Sequence, residues 1–456
     1  MENVEKEENE YLISNKIGLF KQDSSISLRK TYFSPLAPGS LRASIFALVC
    51  VTLGSGMLPL PYFFRKNGIF LSLIIFLFCG FCTLFTIKIL LELAHKNKIY
   101  VYNDLVGIYF NNHMITYSII VLLINSLGSI IAWNVIILNF IKEILIYFNI
   151  YHESYPYYIS LIILCFILIP ISTYQTISKF YIVSTIGIIQ ILYVVLVVLL
   201  EFPMYFKENL ESWKFKVEFF HNFNFLSVIE MHLNFIIAFG NHSTLLSVVE
   251  EIKNKTKSRV MEVGEGTFYS ELFIYLIIMF FSYFSTFNHT KNVFLDRPHH
   301  TILLLFAQFF MITLMICNIL LYYYMLIPML QIFFNNNKKF NLLQNFYYSF
   351  IVLTILIVIS FYIDNIVNIF SFIAASAQVS FIFIIPLSVY IKANPGISKF
   401  KKILIILEIV YFTFIGLMFF IYYFKKYIKD MFSIKLKQSI SIIFININIF
   451  VIFKNI

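Results

Sequence analysis

Two short stretches carry residue types that could do chemistry inside otherwise apolar surroundings. The first is LGSGMLPLPYFF, Leu53 to Phe64, which gathers Gly54, Gly56, Pro59 and Pro61 in one run. Glycine relaxes a helix, and proline removes a backbone donor and clashes with the preceding turn. In lipid, each backbone group freed in this way is costly unless something satisfies it. A bound solute can do so: Gly54, Ser55 and Gly56 can unwind, and a half-helix starting near Met57 to Pro59 would aim its positive N-terminal end at an anion. A proline kink packed against a neighbour is the competing reading, and this stretch alone does not separate the two. The second stretch is FGNHSTLLSVVEEIKN, Phe239 to Asn254. Gly240 and Asn241 are poor helix formers, while Ser243 or Thr244 can cap a new half-helix. A polar run at bilayer depth is expensive, and such residues usually line a cavity.

The same region supplies candidate proton carriers, Glu230, His232 and His242. Imidazole suits the task because its reference pKa is about 6.5. Of the three, His242 lies nearest mid-span; Glu230 and His232 fall toward an interface, where a solvated role is ordinary. Lys88 and Glu92, one helical turn apart, read as a pair or as snorkelling side chains.

Elements that could position these groups follow from composition. Of 456 residues, 60% are hydrophobic and 13% charged, against roughly 25% charged in soluble domains. The mean hydropathy is +0.83. There is too little charge to coat soluble surfaces, so the expected class is an all-α integral membrane protein. Eleven apolar runs are long enough to cross a bilayer, beginning near Ala43, Ile69, Thr116, Tyr157, Phe180, Phe225, Thr267, Thr301, Leu342, Ile366 and Lys402. The two polar breaks fall in the first and sixth runs, at corresponding places in two halves of five. That is the pattern of a five-plus-five inverted-repeat transporter with discontinuous helices 1 and 6 and a site at the midplane.

Three regions are expected: a disordered cytoplasmic N-terminal tail over 1–40, a transmembrane domain over 41–424, and a C-terminal tail over 425–456 containing a short apolar segment at 438–453. No cleavable leader is expected from the first residues, because their acid-rich run lacks an apolar core. The net charge of +10 does not point to nucleic acid, since the basic residues are scattered through short loops. With the N-terminus inside, those loops carry nineteen Lys and Arg on the inner side and eight on the outer side before the C-terminal tail. This bias favours a cytoplasmic N-terminus, although the basic tail after the eleventh run argues weakly the other way. The five cysteines, including the Cys79–Cys82 pair, lie in apolar runs and read as packing residues. Asn288-His289-Thr290 forms a glycosylation sequon expected to face outside.

The residues also resemble a known family. LGSGMLPLPYFF is similar to the first-span signature of the amino acid/auxin permease family. FGNHSTLLSVVEEIKN resembles its sixth span, and SFIAASAQVSFIFIIPLSVYIK, Ser371 to Lys392, its tenth. The resemblance runs from about Ser34 to Phe424. It implies secondary transport of free amino acids by alternating access, with no cofactor beyond an ion gradient. Carried onto this sequence, Gly54, Ser55, Gly56 and Met57 would meet the substrate carboxylate. Phe239, Gly240, Asn241 and His242 would meet its amine or side chain, and Trp133 in the third run would gate the site or serve as a core or interface anchor. Proton coupling through His242 or Glu230 is favoured over sodium. Sodium-coupled relatives carry an Asn where Cys50 stands here and a Thr shortly before the last proline of the eighth span, where Ile319 to Ile327 holds neither Thr nor Ser.

A neutral or aromatic substrate is expected from the room beside Gly54 and Gly56. Membrane lipid is the other expected partner, and the sequence leaves protein partners open. The location reads as a plasma membrane or a vacuolar or digestive-organelle membrane. An amino acid sensor on the same fold is the alternative. A membrane enzyme is disfavoured, because His299-His300 has no accompanying ligand cluster.

Overall fold

The computed structural model describes residues 39–173, 180–210, 219, 224–297, 301–334 and 338–433. Nearly all of the expected N-terminal tail, the C-terminal apolar segment, the centre of the large loop near 211–218 and His299-His300 lie outside the described residues.

Every regular element among the described residues is a helix. The first span consists of α1 (Leu41–Gly56) and α2 (Leu60–Asn67), bent by 44° at their junction. α3 (Ile69–Asn97), α5 (Asn112–Tyr147), α6 (Tyr155–Thr173) and α7 (Phe180–Leu210) follow, with α4 (Tyr102–Tyr109) as a short connector. The second half opens with another interrupted pair, α8 (Phe225–Ala238) and α9 (His242–Glu250). It continues through α10 (Lys257–Thr286), α11 (Ile302–Phe334), α12 (Leu342–Ser360), α13 (Ile366–Ala393) and α14 (Lys399–Ser433). Among the described residues nine helices are long and apolar enough to cross a membrane unaided, and the bent α1–α2 pair makes a tenth. The α8–α9 pair occupies the sixth place, so the order matches the eleven expected runs.

Helix starts fall within a few residues of expectation except at the seventh span, where α10 begins at Lys257 rather than Thr267. The Thr256 side chain caps it by accepting from the Arg259 amide. Two ion pairs then hold the polar first turns against α3: Lys88 with Glu265 at 2.7 Å and Glu92 with Lys257 at 3.1 Å. Lys88 and Glu92 thus reach across to α10 rather than to each other.

Exposed faces of the spans are apolar, as expected for helices sorted between protein and lipid. On α3, Phe70, Ile74, Phe78 and Phe81 form an exposed stripe, while Ser72, Phe76, Cys79, Thr83 and Thr86 face inward. The i, i+4 spacing puts each set on one side of the helix.

The two breaks are built differently from the sequence expectation. Gly54, Ser55 and Gly56 do not unwind; they remain inside α1, and the interruption falls on Met57–Pro59. Proline explains the shift. Pro59 and Pro61 have no N–H to return to the preceding turn, so the chain stops accepting helical bonds there whatever the glycines allow. The freed carbonyl of Leu58 accepts from the Phe294 amide at 3.2 Å, in the segment that follows α10. That segment is anchored by Arg65, which donates to the Thr290 carbonyl at 2.8 Å, and by a buried pair between Arg297 and Glu201 at 3.0 Å. Thr290 of the sequon is itself buried there. In the sixth span α8 ends at Ala238, and Asn241 stands at the start of α9. The Ala238 carbonyl accepts from the Tyr275 hydroxyl at 2.5 Å. Both breaks therefore satisfy their freed backbone from α10 or the segment after it.

Candidate functional site

Between the breaks lies a cavity of about 20 Å³, roughly the room of one water molecule. Val51, Thr52 and Ser55 of α1 form one wall, and Ile237 and Gly240 of the sixth span another. Ser129 and Trp133 of α5, Tyr322 of α11, and Phe370, Ile373 and Gln378 of α13 complete it. Five spans converge on this point, and hydrogen bonds tie their polar groups together in pairs.

Trp133 is almost fully buried and donates its indole N–H to the Ser55 hydroxyl at 2.9 Å. Tyr322 meets the indole edge-on, with ring centroids 4.6 Å apart, and its hydroxyl lies 3.1 Å from that of Ser243. Across the cavity the Gln378 amide donates to Asn125 Oδ1 at 3.2 Å. Gln378 lies in one of two closely spaced π-helical turns of α13, Ala374–Gln378 and Ser380–Ile384. Such turns add a residue to the helical repeat and often mark functional sites. Gly240 lies close against Gln378: a Cβ there would stand 2.5 Å from Gln378 Oε1, so a larger residue would have to displace the end of that side chain.

Behind this wall is a carboxyl group that the sequence reading missed. Glu271 on α10 has no solvent exposure. Its Oε1 accepts from the Asn241 amide at 3.5 Å and lies 2.5 Å from the Thr52 hydroxyl oxygen, joining the two interrupted spans through one side chain. The signal was available, because a lone Glu inside SELFIYLIIMFF is an ionisable residue at membrane depth and so a functional-site hypothesis by default.

Of the residues proposed from sequence, Ser55, Trp133 and Gly240 line the cavity. Gly54 faces Asn318, and Gly56 sits against Ala238 and Tyr275, so both glycines serve close helix approach. Met57 is fully buried, and Phe239 packs among Phe76, Phe268 and Tyr275, all outside the lining. Asn241 turns toward Glu271. His242 places Nε2 3.0 Å from the Thr86 hydroxyl on α3, also behind the wall. Glu230 pairs with Lys66 at the end of the bundle, away from the cavity. His232 is buried and lies 2.7 Å from the Tyr411 hydroxyl. Among the described residues no group of three His, Cys, Asp or Glu could hold a metal ion.

A family model described as transmembrane amino acid transporter protein matches residues 37–451. The chain belongs to that family. This transmembrane amino acid transporter family member is 24% identical over 304 residues to AAT1 of Plasmodium berghei, an amino acid transporter by name, with 64% of this chain and 47% of the relative aligned. AAT1 of Plasmodium falciparum is 23% identical over 285 residues, covering 61% of this chain and 45% of the relative. The chain thus spans about half the length of the curated relatives it matches.

Among solved structures, the chain is similar to a manganese transporter of Eremococcus coleocola in a form with one histidine replaced by alanine. The TM-score is 0.57 at 10% identity, over 88% of this chain and 91% of the other. A form of the same transporter with one glutamate replaced by glutamine gives 0.54 at 11% identity over 88% and 91%. At such low identity the likeness is one of fold: the family member is an all-helical, multi-pass membrane protein with the inverted-repeat transporter architecture.

Proposed function

We propose that this protein moves neutral amino acids across a membrane by alternating access around the cavity between its two interrupted spans. The observation that carries the reading is the lining of that cavity in a chain of this family. Its polar groups are hydroxyls, an indole N–H and an amide, from Thr52, Ser55, Ser129, Tyr322, Trp133 and Gln378, and its remaining wall is apolar. A zwitterion brings one positive and one negative charge, which such groups and the ends of half-helices can solvate. A charged substrate side chain would add a charge with no counter-ion in the lining, at a cost of several kcal/mol. Val51, Ile237, Phe370 and Ile373 suit an apolar side chain.

In this reading the carboxylate sits by Thr52 and Ser55, the ammonium and side chain by Gly240 and Gln378, and Trp133 with Tyr322 closes over one side. Sites for small ligands occupy roughly 300–1,000 Å³, far more than the cavity holds. The helices that meet at the Trp133–Ser55 and Gln378–Gly240 contacts must therefore separate to admit substrate, which is the motion alternating access requires. A proton gradient is the proposed driving force, with the N-terminus on the cytoplasmic side.

Uptake of a labelled amino-acid panel into proteoliposomes tests this, under an inward proton gradient, a sodium gradient or neither. Concentrative uptake of neutral amino acids with the proton gradient alone is the expected result. A requirement for sodium would overturn the coupling assignment, and binding without any movement across the membrane would overturn transport itself.

A further inference from the structure

We infer that Glu271 is the proton-binding group of this transporter, placed behind the substrate cavity and touching both interrupted spans; this rests on the proton-coupled reading above. The hydrogens around this carboxyl group are too few for it to be ionised. The Thr52 hydroxyl has one proton, yet three acceptor oxygens lie close to it, the Leu48 carbonyl at 3.1 Å, the Val49 carbonyl at 3.2 Å and Glu271 Oε1 at 2.5 Å, with the Tyr275 hydroxyl also beside it. A helical Thr ordinarily gives its proton back to the preceding turn. Its oxygen is then free to accept, and the short contact to Glu271 is satisfied when the carboxyl carries a proton and donates it. If Glu271 were ionised, three acceptors would compete for one hydrogen. The other donor to the carboxylate among the described residues is the Asn241 amide, at the limit of bonding distance. Glu271 Oε2 is buried without a partner among the described residues.

Among the described residues no Lys, Arg or His forms an ion pair or hydrogen bond with Glu271; Arg259, near the start of α10, lies about three turns away along the helix. On α10 itself, Lys257 pairs with Glu92 of α3, Glu265 pairs with Lys88 of α3, and the Tyr275 hydroxyl is committed to the Ala238 carbonyl. On the elements packed against α10, Arg42 of α1 lies over the Phe46 ring. In α2, Arg65 donates to the Thr290 carbonyl and Lys66 pairs with Glu230. Glu201 of α7 pairs with Arg297, and His242 of α9 contacts Thr86. A buried carboxylate without a counter-ion is among the costliest arrangements in a membrane protein.

The same contacts explain how a proton here would be felt at the substrate site. Thr52 lines the cavity and Asn241 adjoins Gly240. When the Glu271 O–H bond breaks, its proton leaves to water on the side to which the site is open. The carboxylate left behind then draws the Thr52 hydrogen from the α1 carbonyls and pulls the Asn241 amide inward. Reprotonation from the opposite side restores the neutral arrangement. Charge movement is thereby tied to the positions of two cavity walls.

The test uses the full chain in proteoliposomes, with amino-acid accumulation and internal acidification followed together, beside infrared spectra of the purified protein. Wild type is expected to show substrate-driven proton entry and a protonated-carboxyl stretch that bleaches as pH rises. Glu271→Gln is expected to lose proton-driven accumulation and that band, and Thr52→Val to shift the band by removing its hydrogen-bond partner. Wild type that accumulates substrate without proton entry would overturn the coupled reading on which the inference stands. A coupled wild type matched by an equally coupled Glu271→Gln would overturn Glu271 alone. Should Glu271→Gln fail to fold, a band that is absent from wild type, or one unmoved in Thr52→Val, would overturn the proposal without it.

Discussion

The two interrupted spans do the same job with opposite chemistry. In the first, the break at Met57–Pro59 is imposed by proline, and Met57 and Leu58 are fully buried. Its freed Leu58 carbonyl is met by a backbone amide in a segment that is itself pinned by Arg65 and by the Arg297–Glu201 pair. In the sixth, the break follows from Gly240 and Asn241, which lie against Gln378 and Glu271. Covalent geometry fixes the first break whatever surrounds it, whereas the second is held by side-chain contacts that can be remade. The difference assigns a rigid joint to the first span and the adjustable groups to the sixth.

Gly56→Leu tests the rigid half and should have the largest effect. A Cβ at Gly56 would stand 2.9 Å from the Tyr275 hydroxyl and 3.0 Å from Ala238 Cα, and backbone cannot swing aside. Transport should be abolished while the protein still reaches the membrane, measured by uptake against surface or vesicle content. Retained uptake with unchanged affinity would show that the first break is as adjustable as the sixth.

Trp133→Phe keeps an aromatic ring and removes the indole donor to Ser55. Leaving a buried hydroxyl short of a partner costs about 1–2 kcal/mol, or roughly a five- to thirty-fold loss of apparent affinity, read from concentration-dependent uptake. Gly240→Ala should be milder than either, because its Cβ would meet the end of the Gln378 side chain, which can rotate away from Asn125. A loss of about one hydrogen bond's worth, near fivefold in affinity, is expected with the fold intact. If this variant were as damaging as Gly56→Leu, the contrast between the breaks would collapse. Glu230→Gln should matter least. Its partner Lys66 is part-exposed at the end of the bundle, so thermal unfolding should change by no more than about 1 kcal/mol. A larger change, or loss of coupled uptake, would return Glu230 to the candidate proton path.

Much of the architecture was legible because single residues announce it. Glycines and prolines inside an apolar stretch marked the first break, a polar run marked the second, and the helix order followed from run lengths alone. The cavity residues were harder to find. Ser55, Trp133 and Gly240 were reachable from the broken stretches and the family pattern, but Gln378, Tyr322, Ser129 and Thr52 were not singled out. Each is an ordinary residue in an apolar helix until π-helical turns and helix crossings aim it inward. His242 drew attention as a titratable group at a break, yet its place on α9 turns it to Thr86 rather than to the cavity.

The sequence by itself therefore determined that the chain crosses a membrane many times and that its first and sixth spans are interrupted. Apolar length and the backbone limits of proline and glycine act locally, so they can be read from neighbouring residues. Only the tertiary structure decided that Gly54–Gly56 stay helical, that the break slides to Met57–Pro59, and that Glu271 bridges the two interruptions. In lipid both faces of a helix are apolar, so hydropathy does not reveal which side turns inward. Which polar groups meet is set by packing between residues far apart in the chain, as Thr52 and Glu271 are.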